Sequence, residues 1–302
     1  MKKRILFIIN PVAGVRRKDR IPRAINAWLD HDRYDYEVIY TEGRGHATEI
    51  AQQAVKDKYD IVCVAGGDGS VNEVATGLIG SETCLAIIPA GSGNGLARHL
   101  GYSILMRSTI EIINAHAVRE IDVCRVNNYY FFSLIGIGFD AYVAKVFSRE
   151  ETRGFLTYLW CSLKSVRSFE PFAYTMQYHG VEEKGKAFMI NICNSNQYGY
   201  NVKVAPQASL QDGMLDVVMV DALPKWKIPF LVLRVFLQIH MKSKYVRLMK
   251  CSAMYVEASR HAYLQVDGET VHKDKDFHIS ILPKALRVLV NASRFDTDVE
   301  QK

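Results

Sequence analysis

Two glycine-rich stretches of the sequence carry residue types that could bind phosphate groups. The first is Gly66-Gly67-Asp68-Gly69-Ser70, and the second is Pro89-Ala90-Gly91-Ser92-Gly93-Asn94-Gly95. Each follows a short apolar run and precedes a segment with helical character. In a strand–loop–helix arrangement, backbone N–H groups can close on phosphate oxygens, and the helix dipole favours the negative charge. The spacing therefore predicts a phosphate site formed by both loops. The alternative for each loop is a tight turn followed by a helix cap.

Asp68 is unusual in such a loop because a carboxylate repels phosphate unless a divalent cation lies between them. We therefore interpret Asp68 as a group linked to Mg²⁺. Ser70 and Glu73 have the S-x-x-E spacing of a capping box for the helix that follows. Known nucleotide signatures do not match, since there is no G-x-x-x-x-G-K-[ST] and the first loop lacks the third glycine of the dinucleotide fingerprint.

The segments GGDGS-x-NEV and PAGSGNGLAR resemble the catalytic-domain motifs of the diacylglycerol kinase and sphingosine kinase superfamily, in its bacterial diacylglycerol-kinase-like form. Asn10-Pro11-Val12-Ala13-Gly14 is a third motif in the order and approximate spacing of that family. The resemblance implies binding of ATP with Mg²⁺. The residues it implies for ATP are Asn10, Pro11, Gly14, Thr41, Gly66, Gly67, Asp68, Gly69, Ser70, Asn72, Glu73, Gly91, Ser92, Gly93 and Asn94. Without the resemblance, Thr41 would be a helix-entry residue.

Three further acids gain a catalytic interpretation from the same resemblance. Periodicity alone predicts a hairpin turn at Val266-Asp267-Gly268-Glu269. The family, however, carries its general base in such a DGE element, so Glu269 would remove the proton from the attacking alcohol. Asp267 would orient Glu269 or help to hold magnesium. Asp122 corresponds to another acid of the magnesium network, and its alternative is a solvated strand residue.

A second, structural cation is implied by the segment from Ala205 to Asp216. It resembles a P-x-A-x-x-x-DG-x-L element that holds Mg²⁺ or Ca²⁺ in the family. The matching ligands would be the side chain of Asp212 and the carbonyls of Ser209 and Met214, and such oxygens suit either ion. The alternative is a plain Asp-Gly turn between strands.

The chain of 302 residues is long enough for two domains. Strand–helix repeats over 1–118 predict an α/β domain with a mainly parallel sheet, helices on both faces and ligands at the carboxyl ends of the strands. Residues 119–291 have a mostly β pattern, which in the family is a sandwich-like, lipid-binding domain whose last strand can return to the first. The tail, 292–302, is polar and is expected to be loose.

The net charge of +6 is concentrated in one segment. Residues 222–256 contain seven Lys or Arg and no acid, and the remainder has 31 basic against 32 acidic residues. Because the segment is also apolar, it suits an anionic membrane surface. Nucleic acid is the rival partner, but no recognised binding motif accompanies the patch, so we expect no nucleic-acid binding.

The six widely spaced cysteines indicate buried free thiols in a reducing compartment, and no apolar run approaches the length of a membrane span. We therefore expect a cytoplasmic protein that associates peripherally with the inner face of the membrane. The oligomeric state is left open, with a homodimer as one option.

The predicted function is transfer of the γ-phosphate of ATP to a lipid hydroxyl. Diacylglycerol is favoured slightly over a sphingoid base or another lipid alcohol. Two departures leave the lipid open: Ser70 stands where bacterial diacylglycerol kinases commonly have Thr, and Ser92 resembles the sphingosine-kinase version of the second loop. The rivals from other classes are a soluble kinase of the NAD-kinase type and a non-catalytic lipid or nucleotide sensor.

Overall fold

The chain divides into two compact units. The computed structural model describes residues 2–12, 20–150, 154–199 and 202–300. The first unit comprises Met1–Val123 and Pro283–Lys302, and the second comprises Cys124–Leu282. The two-domain organisation with a strand-rich second half is confirmed.

The first unit alternates strands and helices. Its elements are β1 (Lys3–Ile9), α1 (Arg20–Trp28), β2 (Tyr34–Tyr40), α2 (His46–Lys56), β3 (Ile61–Gly66), α3 (Asp68–Leu78), β4 (Cys84–Pro89), α4 (Gly95–His99), α5 (Met106–Ala115) and most of β5 (Val118–Val126). β1 pairs in parallel with both β2 and β3, and β3 pairs in parallel with β4. Every residue of β3 and β4 is buried, as expected for parallel strands covered by helices on both faces.

The second unit is mostly antiparallel. Its elements are β6 (Tyr129–Phe131), β7 (Leu134–Gly138), α6 (Phe139–Phe147), α7 (Phe155–Val166), β8 (Phe172–Tyr178), β9 (Val181–Cys193), β10 (Gln197–Gly199), β11 (Val202–Lys203), β12 (Leu215–Asp221), α8 (Ile228–Phe236), β13 (Val246–Cys251), β14 (Ala253–Val266) and most of β15 (Glu269–Leu289). β7 pairs antiparallel with β9 and β14, and β12 with β9 and β13. Phe139, Phe169 and Phe188 pack ring against ring in its core.

The end of the chain belongs to the first unit. Val288 of β15 pairs in parallel with Leu85 of β4, and α9 (Ala292–Glu300) follows. The expectation of a loose tail from residue 292 was wrong for the residues that the structure describes. Phe295 is buried, and Asp296 forms an ion pair of 2.7 Å with Arg119. The burial of Phe295 and the ion pair of Asp296 stabilise a helix that the polar composition of the tail did not predict.

The structure shows the environment of the cysteines and the length and character of the helices. All six cysteines are buried free thiols, as predicted, and burial raises the pKa of the Cys63 and Cys193 thiols. Among the described residues, none of the helices has the length and apolar character that a membrane crossing needs.

Candidate active site

The loops that carry the first three motifs begin at the same edge of the parallel strands. Ile9 lies opposite Tyr40 and Ala65 in the strand register, and Gly66 lies opposite Pro89. Backbone hydrogen bonds continue past the strand ends: Thr41 donates to the Ile9 carbonyl at 2.9 Å, and Ala90 donates to the Gly66 carbonyl at 2.9 Å. The residues that follow the four strands are therefore presented on one side of the first unit.

The two glycine-rich loops touch each other through backbone atoms. A Cβ placed on Gly91 would lie 2.6 Å from the Cα of Gly67, and one placed on Gly93 would lie 2.8 Å from Asp68 Oδ2. Both distances are too short for real atoms, so these positions require glycine. The glycines thus allow the backbones of two loops from different strand–helix repeats to pack directly against each other.

Asp68 joins the first glycine loop to the second. It is the first residue of α3, and its Oδ2 and Oδ1 accept hydrogen bonds from the backbone N–H groups of Asn94 at 2.8 Å and Gly95 at 2.7 Å. The Asn94 side chain closes its own loop by accepting from Gly91 N at 3.0 Å and donating to Gly91 O at 2.8 Å. Each carboxylate oxygen can accept more than one contact, so the link between Asp68 and magnesium stays a prediction.

The predicted capping box at Ser70 and Glu73 was wrong. α3 begins at Asp68, Gly67 is its N-cap, and no side chain caps it. Instead, Ser70 Oγ accepts a hydrogen bond from Asn10 Nδ2 at 2.8 Å. Glu73 Oε1 accepts from Gly45 N at 2.9 Å, just before α2. The side chains of Ser70 and Glu73 therefore connect neighbouring loops instead of capping α3. The N–H groups at the N-terminus of α3 have no side-chain cap, and the helix dipole there favours an anion.

The remaining residues of the predicted nucleotide site differ in exposure. Pro11 and Ser92 are exposed, Asn72 is half-buried in α3, and Thr41 is buried. Gly14 lies outside the described residues. Asp122 is fully buried on β5, and its Oδ1 accepts a hydrogen bond from Lys284 N at 2.8 Å. The alternative of a solvated strand acid at Asp122 was therefore wrong.

In the second unit, the DGE element forms a two-residue hairpin turn between β14 and β15, as periodicity predicted. Asp267 and Gly268 have φ values of 47° and 89°, the left-handed backbone that such turns require. The Asp267 carboxylate accepts hydrogen bonds from three consecutive N–H groups, those of Phe132, Ser133 and Leu134, at 2.8–3.1 Å. Asp267 therefore fixes the turn, and Glu269 is exposed at the start of β15.

A buried polar network lies behind this turn and was missed in the sequence. Gly268 N donates to Gln265 Oε1 at 2.7 Å, and Gln265 Nε2 donates to Asp140 Oδ2 at 2.9 Å. The Tyr158 hydroxyl donates to Asp140 Oδ1 at 2.9 Å. Gln265 is fully buried and Asp140 nearly so. The one local signal was an acid, Asp140, at the start of a helix in an otherwise apolar stretch.

Next to Asp140 is a cavity of about 140 Å³ inside the second unit. Asp140 and Tyr158 contribute polar groups, but most of its wall is apolar. That wall comes from α6, α7, α8 and neighbouring strands, and it includes Phe139, Val143, Leu159, Phe188, Leu231 and Val235. The cavity can accept a hydrocarbon group with a small polar end.

Two family models cover nearly the whole chain. The model of the diacylglycerol kinase catalytic domain matches residues 4–126. The model of the YegS C-terminal NAD kinase beta sandwich-like domain matches residues 133–290. The chain belongs to the diacylglycerol kinase family of lipid kinases. It is therefore a kinase, and ATP is its expected phosphate donor.

Individual relatives are distant but extend over most of the chain. A diacylglycerol kinase of Bacillus subtilis (strain 168) is 28% identical over 88% of this chain and 90% of its own. A diacylglycerol kinase of Mycobacterium tuberculosis (strain ATCC 25618 / H37Rv) is 26% identical over 95% of this chain and 94% of its own.

Solved structures share the fold. The crystal structure of a diacylglycerol kinase from Bacillus anthracis has a TM-score of 0.73 at 20% identity, covering 96% of this chain and 98% of that one. An NAD kinase from Archaeoglobus fulgidus has a TM-score of 0.55 at 12% identity, covering 99% of each chain. At these identities the likeness concerns the fold alone.

The surface of this lipid kinase is apolar where α7 and α8 meet solvent. Large side chains on the two helices and just before and after α8 are exposed by 40–77%: Leu156, Trp160, Leu163, Trp226, Phe230, Leu233 and Leu237. Other residues of the same helices line the cavity, among them half-buried Leu159 and buried Leu231. The two helices that carry these exposed side chains therefore also form part of the cavity wall.

The positive charge predicted for residues 222–256 is partly neutralised by acids from outside that segment. Lys225 forms an ion pair with Glu170 at 2.6 Å. Arg247 forms ion pairs with Glu183 at 2.6 Å and Asp221 at 3.0 Å. A count of charges along the sequence could not detect these partners, so the segment is less basic as a surface than as a sequence.

The predicted structural cation site holds a lysine. Asp212 Oδ2 lies 2.9 Å from Lys250 Nζ, and Asp212 Oδ1 accepts a hydrogen bond from Met214 N at 3.1 Å. Burial lowers the pKa of Lys250, but the hydrogen bond to Asp212 and the charge of Asp216 outweigh it and raise that pKa above its usual value. Among the described residues, no group of three or more His, Cys, Asp or Glu could hold a metal. With an ammonium group at Asp212, the donors do not fit a divalent cation.

Proposed function

We propose that this kinase transfers the γ-phosphate of ATP to the hydroxyl of diacylglycerol, giving phosphatidic acid. The observation that carries the choice of a lipid is the largely apolar cavity of about 140 Å³ in the second unit. An apolar wall favours an acyl group over the charged, hydrogen-bonding surface of a soluble nucleotide. The curated relatives described above as diacylglycerol kinases support the same substrate class.

The nucleotide half of the proposal is supported by the glycine loops of the first unit. The uncapped N-terminus of α3 favours phosphate through its N–H groups and dipole. Asn10 and Ser70, joined by a hydrogen bond of 2.8 Å, add polar groups at the same edge. Magnesium, when bound with ATP, neutralises charge on the phosphates. Asp68 and Asp122 would hold it, since carboxylate oxygens are the ligands that Mg²⁺ prefers.

For the lipid acceptor, the proposal assigns the proton transfer to Glu269. In this proposal its carboxylate takes the proton from the lipid hydroxyl as the oxygen attacks the γ-phosphate. Asp267, through three backbone hydrogen bonds, and Gln265, through its bond to Gly268, fix the turn that precedes Glu269. Fixing the turn restricts the orientation of the base, and such positioning is a large part of phosphoryl-transfer catalysis.

Peripheral contact with an anionic membrane belongs to the same proposal, because diacylglycerol resides in the bilayer. The exposed apolar side chains of α7 and α8, beside the cavity, would enter the interface, and Arg234, Lys242 and Lys244 would face anionic headgroups. Apolar insertion carries more of this binding than charge does, because Lys225 and Arg247 already have acidic partners.

The experiment that tests the function is ATP-dependent phosphate transfer to a panel of acceptors. The panel contains diacylglycerol, a sphingoid base, ceramide and NAD, each assayed with purified protein and Mg²⁺. Diacylglycerol is expected to give the highest kcat/KM. Preference for the sphingoid base or ceramide would keep the lipid-kinase class but change the substrate, and preference for NAD would overturn the proposal.

The membrane contact is tested by sedimentation with anionic vesicles. The double variant Trp226→Ala and Phe230→Ala is expected to weaken vesicle binding by at least about tenfold, because two exposed aromatic groups lose their burial in the interface. Lys225→Gln should have less effect, and Leu248→Ala, which changes an exposed leucine of β13, is the control. Equal binding by the double variant and the wild type would argue against α8 as the docking helix.

A further inference from the structure

The loop that precedes β12 is packed into the second unit. Val204, Ala205, Ala208 and Leu210 are buried along it. His240 forms a hydrogen bond of 2.8 Å with the Val204 carbonyl. Val204 also lines the apolar cavity. The position of this loop therefore affects the shape of the cavity, and the contacts at its far end, around Asp212, help to hold it.

Two carboxylates converge at that far end. Asp216 is fully buried on β12 and lies directly opposite Lys250 in the β12–β13 register. Lys250 Nζ is 3.4 Å from Asp216 Oδ2 and 2.9 Å from Asp212 Oδ2. Two carboxylates that share a partner repel each other, and a buried one is costly without a positive charge nearby. The fold therefore requires a cation here, and the lysine provides it.

We propose that the Lys250 ammonium is a built-in substitute for the structural divalent cation that the family resemblance implies at Asp212, so that this loop is held without a metal ion. The ammonium contacts the one carboxylate of the predicted ligand set, together with Asp216. A divalent ion bound to Asp212 would meet like-charge repulsion from Lys250 at close range. The loop is thus stabilised by a residue of the chain and does not depend on the supply of cations.

The first test uses the wild-type protein without nucleotide. Its thermal unfolding is measured in EDTA, in Mg²⁺ and in Ca²⁺, because an ion that binds only the folded state raises Tm. The expected result is the same Tm in all three. A rise with Mg²⁺ or Ca²⁺ that disappears in Asp212→Asn would place the ion at this loop and overturn the proposal. A rise that persists in Asp212→Asn comes from another site and leaves the proposal standing.

The second test removes the built-in cation. Lys250→Met keeps the length of the stem but leaves Asp212 and Asp216 without the ammonium, so Tm should fall by about 5–10 °C. Mg²⁺ or Ca²⁺ should now raise the Tm of this variant, because the two carboxylates can accept a metal. Lys242→Met, an exposed lysine of the same segment, is the matched control. A Lys250→Met protein with wild-type Tm and no response to cations would overturn the proposal.

A charge-preserving variant covers the case in which Lys250→Met does not fold. Lys250→Arg retains the positive charge and should keep most of the wild-type Tm, with no response to EDTA. If Lys250→Arg folds only in Mg²⁺ or Ca²⁺, the loop needs a divalent ion and the proposal fails.

Discussion

The same dipeptide, Asp-Gly, lies in both units but has different partners in each. Asp68-Gly69 starts helix α3, and the Asp68 carboxylate accepts two N–H groups at the start of α4, 26 and 27 residues further along. Asp267-Gly268 forms a hairpin turn, and the Asp267 carboxylate accepts three N–H groups of residues 132–134, more than 130 residues earlier. One aspartate connects two adjacent loops, and the other fixes a turn to a distant segment.

This difference has a consequence for the chemistry at each Asp-Gly pair. Asp68 lies beside an uncapped helix N-terminus, where phosphate and magnesium are favourable ligands. Asp267 is surrounded by backbone donors that stabilise its negative charge, so a metal is not needed there. At the hairpin turn, the candidate for proton transfer is therefore the exposed residue that follows it, Glu269. The comparison predicts that Asp68 and Glu269 affect turnover, and that Asp267 mainly affects stability.

The largest effect is expected for Glu269→Gln. Glutamine keeps the size and hydrogen bonding of the side chain but cannot take a proton. We expect kcat to fall by about 10²–10⁴-fold with little change in nucleotide affinity. Steady-state kinetics with the preferred lipid and a separate ATP-binding titration measure the two quantities. Glu257→Gln, which changes an exposed acid on β14 of the same unit, is the matched control. A Glu269→Gln protein that loses ATP binding together with turnover would make Glu269 a structural or metal-holding residue.

Asp68→Asn should reduce kcat by about 10²–10³-fold, because it removes one charge that would hold magnesium. The structure adds a second expectation. Asparagine can accept from only one of Asn94 N and Gly95 N, so the second glycine loop should loosen and the KM for ATP should rise. Kinetics at several Mg²⁺ concentrations separate the two effects. A lower Tm with unchanged kcat at saturating ATP would show that Asp68 only holds the loops together.

The features that sequence predicted well depend on local rules. The Asp267-Gly268 hairpin follows from turn chemistry. The apolar surroundings of the six cysteines correctly indicated buried thiols. The motifs at the strand ends were enough to identify the family. The hairpin and the thiols require only neighbouring residues, and the family requires only short motifs and their order along the chain.

The features that sequence missed depend on partners far along the chain. Ser70 and Glu73 had the spacing of a capping box, yet they bind Asn10 and Gly45, which no local pattern indicates. Helix α9 needs Arg119, 177 residues before Asp296. The basic segment looked more positive than it is, because Glu170, Glu183 and Asp212 lie elsewhere in the sequence. Such contacts can be predicted only when the fold is known, because the fold determines which distant residues lie close together.

Of the three variants, Asp267→Asn is expected to have the smallest effect on turnover. It tests the prediction that Asp267 mainly affects stability. The asparagine oxygen can replace one carboxylate oxygen, but its amide group would face a backbone N–H of residues 132–134. Leaving that donor unsatisfied should reduce the free energy of unfolding by about 1–3 kcal/mol, seen as a lower urea midpoint. Nucleotide affinity should not change, because Asp267 acts on the hairpin and not on the glycine loops.

The control for this variant is Asp35→Asn, an exposed acid in a surface ion pair with Lys2. It should change the free energy of unfolding by no more than about 0.5 kcal/mol. A fall in kcat for Asp267→Asn should be smaller than that for Glu269→Gln, since the turn is loosened while the proposed base remains. If Asp267→Asn instead matched Asp68→Asn in its loss of kcat and its dependence on Mg²⁺, Asp267 would belong to the magnesium network, and the distinction between the two Asp-Gly pairs would fail.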